Sequence, residues 1–91
     1  ILLSAFVFSG FLLFKYSDTQ DLLNKGRKQM AQGKMAWAAK TFETLVNRHP
    51  DHYEGHLLLG EAYLQLGERK QAEQEFLTAS ALQSKQAQNA D

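Results

Sequence analysis

The chain changes character abruptly after its fourteenth residue. Residues 1–14, ILLSAFVFSGFLLF, carry no charged side chain, and Phe6, Phe8, Phe11 and Phe14 all fall there, four of the six phenylalanines. Lys15 and Tyr16 follow, a cation able to snorkel and an aromatic suited to a bilayer interface. Fourteen helical residues span about 21 Å, against roughly 30 Å of hydrocarbon core. Because the chain starts at Ile1 rather than methionine, the preferred expectation is a transmembrane helix over 1–16 that continues upstream. Two other readings compete: an uncleaved signal-like or interfacial anchor, and a helix enclosed in a soluble core. Ala5 and Ser9 have the small-xxx-small spacing that admits a neighbouring membrane helix, although ordinary membrane-helix composition is the preferred explanation of them.

From Ser17 the pattern becomes amphipathic and helical. Ser17-Asp18-Thr19-Gln20-Asp21 forms a polar junction, which either caps a new helix or is traversed by the first one. The spacing predicts helices over about 19–32 and 35–48, with Gly33 as a left-handed stop between them. His49-Pro50 ends that hairpin, since a residue before proline is steered away from helical angles. Asp51 with Glu54 reads as a capping box for a third helix ending at Gly67. A fourth helix is expected over about 69–82, followed by a polar, fraying tail.

Across this region positions recur at a spacing of 34: Gly26 and Gly60, Gly33 and Gly67, Ala38 and Ala72, Phe42 and Phe76, with Leu23/Leu57 and Thr44/Thr78 in register. A fixed period of that length marks stacked helical hairpins. A glycine inside a helix costs about 1 kcal/mol relative to alanine, so Gly26 and Gly60 imply a close approach by the neighbouring helix. Ala38 and Ala72 would serve that contact from the other side, and Phe42 and Phe76 would fill between helices.

With Gly26, Gly33, Ala38, Phe42 and Pro50 in the first copy and Leu59-Gly60, Tyr63, Gly67, Ala72, Phe76 and Ala79 in the second, residues 20–84 resemble two tetratricopeptide repeats. With the apolar run read as a transmembrane helix (1–16) and a junction (17–21), the resemblance implies an all-α chain with repeats over 22–55 and 56–84 forming a short right-handed α-solenoid, followed by a polar tail (85–91). Lys25 and Gln29 depart from the usual leucine and aromatic, and Leu22 and His56 stand where a large aromatic is common. Two repeats are fewer than the three or so that usually stand alone, and no polar cap follows the second. A partner, or self-association, is therefore expected to cover Leu77, Ala81 and Leu82.

Composition narrows the function classes. There are no cysteines, which removes disulfides, thiolate nucleophiles and cysteine zinc sites. Net charge is zero but polarised: seven Lys/Arg against three acids up to Arg48, then three against seven. His52 and His56 share a helical face, yet without HExxH or a nearby cysteine no metal site is expected. No Ser/His/Asp set and no phosphate loop occurs, so neither catalysis, a cofactor nor a small-molecule substrate is expected. Lys25-Gly26-Arg27-Lys28 is too short for nucleic acid and suits anionic headgroups.

By the resemblance, the concave surface would be lined by Gln20, Leu23, Arg27, Met30 and Ala31, then Glu54, Leu57, Glu61, Leu64 and Gln65. Leu23, Met30, Leu57 and Leu64 would form an apolar stripe for an amphipathic helix, edged by Arg27, Glu54 and Glu61. Packing of those leucines against the membrane helix or the next repeat is the competing reading. Trp37, with Met35 and Ala36, makes a second patch, either an interface anchor or filler for a local gap. The expected function is a membrane-anchored adaptor, acting as an assembly factor or accessory subunit of a larger membrane protein complex. A receptor capturing amphipathic helical peptides is the alternative. Similar bacterial proteins imply a single-pass inner-membrane location, with the side of the repeats open: the basic residues from Lys15 to Lys34 favour the cytoplasm, the resemblance equally the periplasm.

Overall fold

Local backbone chemistry cuts the chain into four helices. The computed structural model describes the backbone of residues 2–89 and the side chains of residue 10 and residues 13–87. The helices are α1 (Leu2–Ala31), α2 (Met35–Arg48), α3 (Tyr53–Gln65) and α4 (Arg69–Asn89). α1 and α3 end on glycines in the left-handed region, Gly33 at φ 78° and Gly67 at φ 81°. Each glycine closes the same pair of bonds. Gly33 N–H donates to the Met30 carbonyl at 2.9 Å and Lys34 N–H to Gln29 at 2.8 Å. Gly67 N–H donates to Leu64 at 3.0 Å and Glu68 N–H to Tyr63 at 2.8 Å. This is the Schellman arrangement, which satisfies carbonyls that a helix end otherwise leaves bare. α2 ends at His49, which Pro50 holds at a non-helical φ of −132°.

One boundary left open by the sequence is decided, and two others differ from the sequence expectation. α1 runs through Ser17–Asp21 without a break, and the Thr19 hydroxyl donates back to the Tyr16 carbonyl at 2.8 Å instead of capping a new helix. α3 is capped by His52, not by Asp51 with Glu54: His52 Nδ1 accepts from Gly55 N–H at 2.9 Å. Moving the cap by one residue puts Gly55 at its third position and leaves Glu54 free to reach α1. α4 extends to Asn89, because Gln, Ala and Lys propagate a helix and no glycine or proline interrupts them.

Each helix packs on its neighbours in the chain, α1 on α2, α2 on α3 and α3 on α4, and the short links make successive helices antiparallel. The core combines Leu23, Phe42, Leu45, Leu59 and Tyr63 with Ala38, Ala39, Ala62 and Ala72. Burial of Phe42, Leu23, Leu45 and Leu59 contributes roughly 1.5–3 kcal/mol each. The glycines do admit a close approach, but by an aromatic ring rather than a backbone. A Cβ on Gly26 would overlap the Phe42 ring, and one on Gly60 would lie 2.6 Å from Cε1 of Phe76.

The first half of α1 departs from the rest. Among its described side chains, Gly10, Leu13, Phe14, Lys15, Tyr16 and Ser17 are exposed, and Asp18 and Thr19 are the first that are half-buried or buried. Among the described residues no helix is long and apolar enough to cross a membrane, so they do not support the expected spanning helix. The physical reason is length: the apolar run stops at Phe14 after about 20 Å of helix, and α1 then carries Lys15, Asp18 and Asp21. The side chains of Phe6, Phe8, Phe11, Ala5 and Ser9 lie outside the described residues.

Candidate protein-interaction surfaces

The expected concave stripe is only partly a surface. Leu23 is 2% exposed and belongs to the core, which removes it as a free groove residue, while Met30 is half-buried against that core. Leu23 joins a cluster that includes Phe42 and Leu45 of α2 and Leu59 of α3. What stays accessible is Leu57, half-buried, and Leu64, 49% exposed, with Glu61 exposed beside them. Arg27 and Glu54 do not edge an open groove either. They form an ion pair with each other between α1 and α3, a solvent-exposed contact of at most about 1 kcal/mol.

The outer side of α4 is more open. Leu77 is 71% exposed, Ala81 is exposed and Leu82 half-buried. Leu77 shares a shallow hollow of about 340 Å³ with Phe76 and Glu73. Its counterpart on α2, 34 residues earlier, is Glu43, which lies against α3 and accepts the Tyr63 hydroxyl proton at 2.7 Å. Burial, that bond and the surrounding carboxylates push the Tyr63 phenol well above its usual range, so it remains a neutral donor. Trp37, on α2, is 63% exposed and does not fill a gap in the core.

The histidines serve the structure. His56, 8% exposed, bridges Glu75 through Nδ1 at 2.7 Å and the Pro50 carbonyl through Nε2 at 2.7 Å, tying the α2–α3 link to α4. His49 Nε2 meets Asp18 at 2.8 Å, while Arg48 donates to the other Asp18 oxygen at 2.9 Å. The His49 bond, then the Arg48 charge, hold the Asp18 carboxyl below its usual range. Burial, then the neighbouring His49, lower the affinity of the His52 ring for a proton, which keeps Nδ1 available as the α3 cap. Among the described residues no group of three His, Cys, Asp or Glu side chains is arranged to hold a metal ion. The sequence offered Asp18 only as part of a capping junction, and its pairing with Arg48 and His49 was not legible, since those partners lie 30 and 31 residues away. Beside this clamp, Phe14 and Lys15 face Pro50 and Asp51 across a hollow of about 440 Å³.

Two helical hairpins with the same turn bonds, the same glycine–phenylalanine contact and a 34-residue register describe one architecture. The sequence model of the tetratricopeptide repeat matches residues 29–90, more than two thirds of the chain. The chain belongs to the tetratricopeptide repeat family. A comparison with curated proteins finds no match. Tetratricopeptide repeats are typically non-catalytic modules that bind other proteins.

Proposed function

We propose that this chain is a membrane-anchored tetratricopeptide adaptor with two repeats, acting as an assembly factor or accessory subunit of a larger membrane protein complex. The observation that carries this reading is Leu77. It stands 71% exposed on α4, at the place where the preceding hairpin is covered by α3. An exposed apolar side chain on the outer face of a helical hairpin is a docking position, and its burial by a partner would contribute roughly 1.5–3 kcal/mol. Ala81 and Leu82 extend the same face. The uncharged run of residues 1–14, continued by exposed Leu13, Phe14 and Tyr16 around Lys15, supports attachment to a bilayer in a bacterial inner membrane. Receptor-like capture of helical peptides has less support, because Leu23 is withdrawn into the core and Met30 is half-buried against it.

The test is site-specific photo-cross-linking from position 77 in native membranes. One discrete protein adduct, absent when the probe is moved to exposed Gln71, is the expected result. A chain that yields no adduct and purifies as a folded, partnerless monomer would remove the adaptor reading.

A further inference from the structure

On the side of the first hairpin facing away from α3, α1 and α2 enclose a groove of about 280 Å³. Leu22, which packs against the core, lines it together with Lys25 and Gln29 from α1 and Trp37, Lys40 and Arg48 from α2. Among the described residues no carboxylate contributes to the lining. Arg48 is shared with Asp18 but remains 58% exposed, whereas Lys25 and Lys40 have no ion-pair partner among the described residues. Gln29 is held in place by the Thr41 hydroxyl, which donates to its Oε1 at 2.6 Å.

The 34-residue register shows what such a groove receives. Positions 22, 25 and 29 correspond to His56, Leu59 and Tyr63, all buried, and Tyr63 is bonded to Glu43 of α2. In the second hairpin this face is the seat of a helix. The first hairpin keeps the shape of the seat and changes its chemistry: a lysine replaces Leu59, a glutamine replaces Tyr63, and Trp37 and Lys40 stand where α4 has Gln71 and Gln74. Three cations around a leucine and a tryptophan complement a helix carrying carboxylates beside an apolar stripe.

We propose that this groove binds an acidic amphipathic helix of a partner protein, with its apolar residues on Leu22 and Trp37 and its carboxylates toward Lys25 and Lys40. The site is separate from the open face of α4, and the two can fail independently.

Trp37 is the only tryptophan, so its emission reports occupancy directly. The full chain is titrated with a synthetic Glu/Leu amphipathic peptide of about 15 residues, enough to hold a helix. A Lys/Leu peptide of the same pattern and vesicles of phosphatidylcholine with phosphatidylglycerol are titrated in parallel. The expected result is a saturable blue shift with the acidic peptide alone, weakened by salt. Lys25→Glu with Lys40→Glu should weaken binding roughly tenfold. Lys34→Glu, outside the groove, and Leu77→Asp should leave it unchanged, with circular dichroism confirming that every variant is folded. The proposal is overturned by an unmoved Trp37 spectrum or by an equal response to the Lys/Leu peptide. It is also overturned if the charge reversals abolish a response to anionic vesicles while the peptide gives none. A shift that grows with protein concentration alone would replace the partner helix with a second copy of this chain.

Discussion

The Phe42 ring is fully buried against Gly26, in space that a single added methyl group would have to occupy. The same pair recurs as Phe76 on Gly60, 34 residues later, but there the ring is only half-buried. Each glycine gives up helix propensity so that a ring from the next helix can reach the helix surface. The contact is the local reason for the family's spacing.

Gly26→Ala therefore tests the contact against propensity. An exposed helical glycine gains about 1 kcal/mol on becoming alanine, whereas overpacking costs typically 1–3 kcal/mol. Phe42 has no free volume to move into, so the net effect at position 26 should be destabilising by about 1–2 kcal/mol in urea unfolding. Gly60→Ala should cost less, because Phe76 can swing toward solvent. Phe42→Leu combined with Gly26→Ala should recover part of the loss.

Removing the buried bridge should be costly for a different reason. His56→Ala leaves the Glu75 carboxylate and the Pro50 carbonyl without the ring that joins them, a loss of about 1–3 kcal/mol in thermal or urea unfolding. His56→Phe with Glu75→Leu should recover much of it, since the uncompensated charge goes with the histidine and exposed Pro50 can turn to water.

Acid should loosen the start of α3. The folded His52 binds a proton less readily than the unfolded ring, so its stabilising contribution is complete above the unfolded value of 6.5 and is lost as pH falls through the lower folded value. Asp18 acts in the same direction further down, below its ordinary 3.8, because its carboxylate is favoured in the folded state. Urea midpoints should fall from about pH 7.5 to 5 in the parent chain. His52→Asn retains an acceptor for Gly55 N–H and should flatten that limb, leaving only the steeper decline at lower pH.

Leu77→Asp separates folding from association. At an exposed position the stability change should stay within about 0.5 kcal/mol, while the cross-linked partner is lost. A fall in unfolding midpoint comparable to that of His56→Ala would show instead that Leu77 belongs to the core.

The apolar run makes its own prediction in vesicle flotation at high salt, where headgroup attraction to Lys15 and its neighbours is screened. The parent chain should float with the lipid. Phe8→Asp with Phe11→Asp should leave it in the aqueous fraction, with the helical signal of the remaining chain preserved.

What the sequence alone determined is local in origin. The turns at Gly33, Pro50 and Gly67 depend on backbone angles that neighbouring residues impose, and the 34-residue spacing of small and aromatic positions follows from one hairpin contact made twice. What only the tertiary structure decided is where each helix face goes. Leu23 was legible as apolar, but whether it lines a groove or enters the core depends on how α2 lies across α1. His52, not Asp51, caps α3, because the Pro50 link sets which side chain reaches Gly55. Asp18 finds Arg48 and His49, and His56 finds Glu75, across separations at which no periodicity operates. A helix's repeat is set within four residues, whereas burial and pairing are set by the helix beside it.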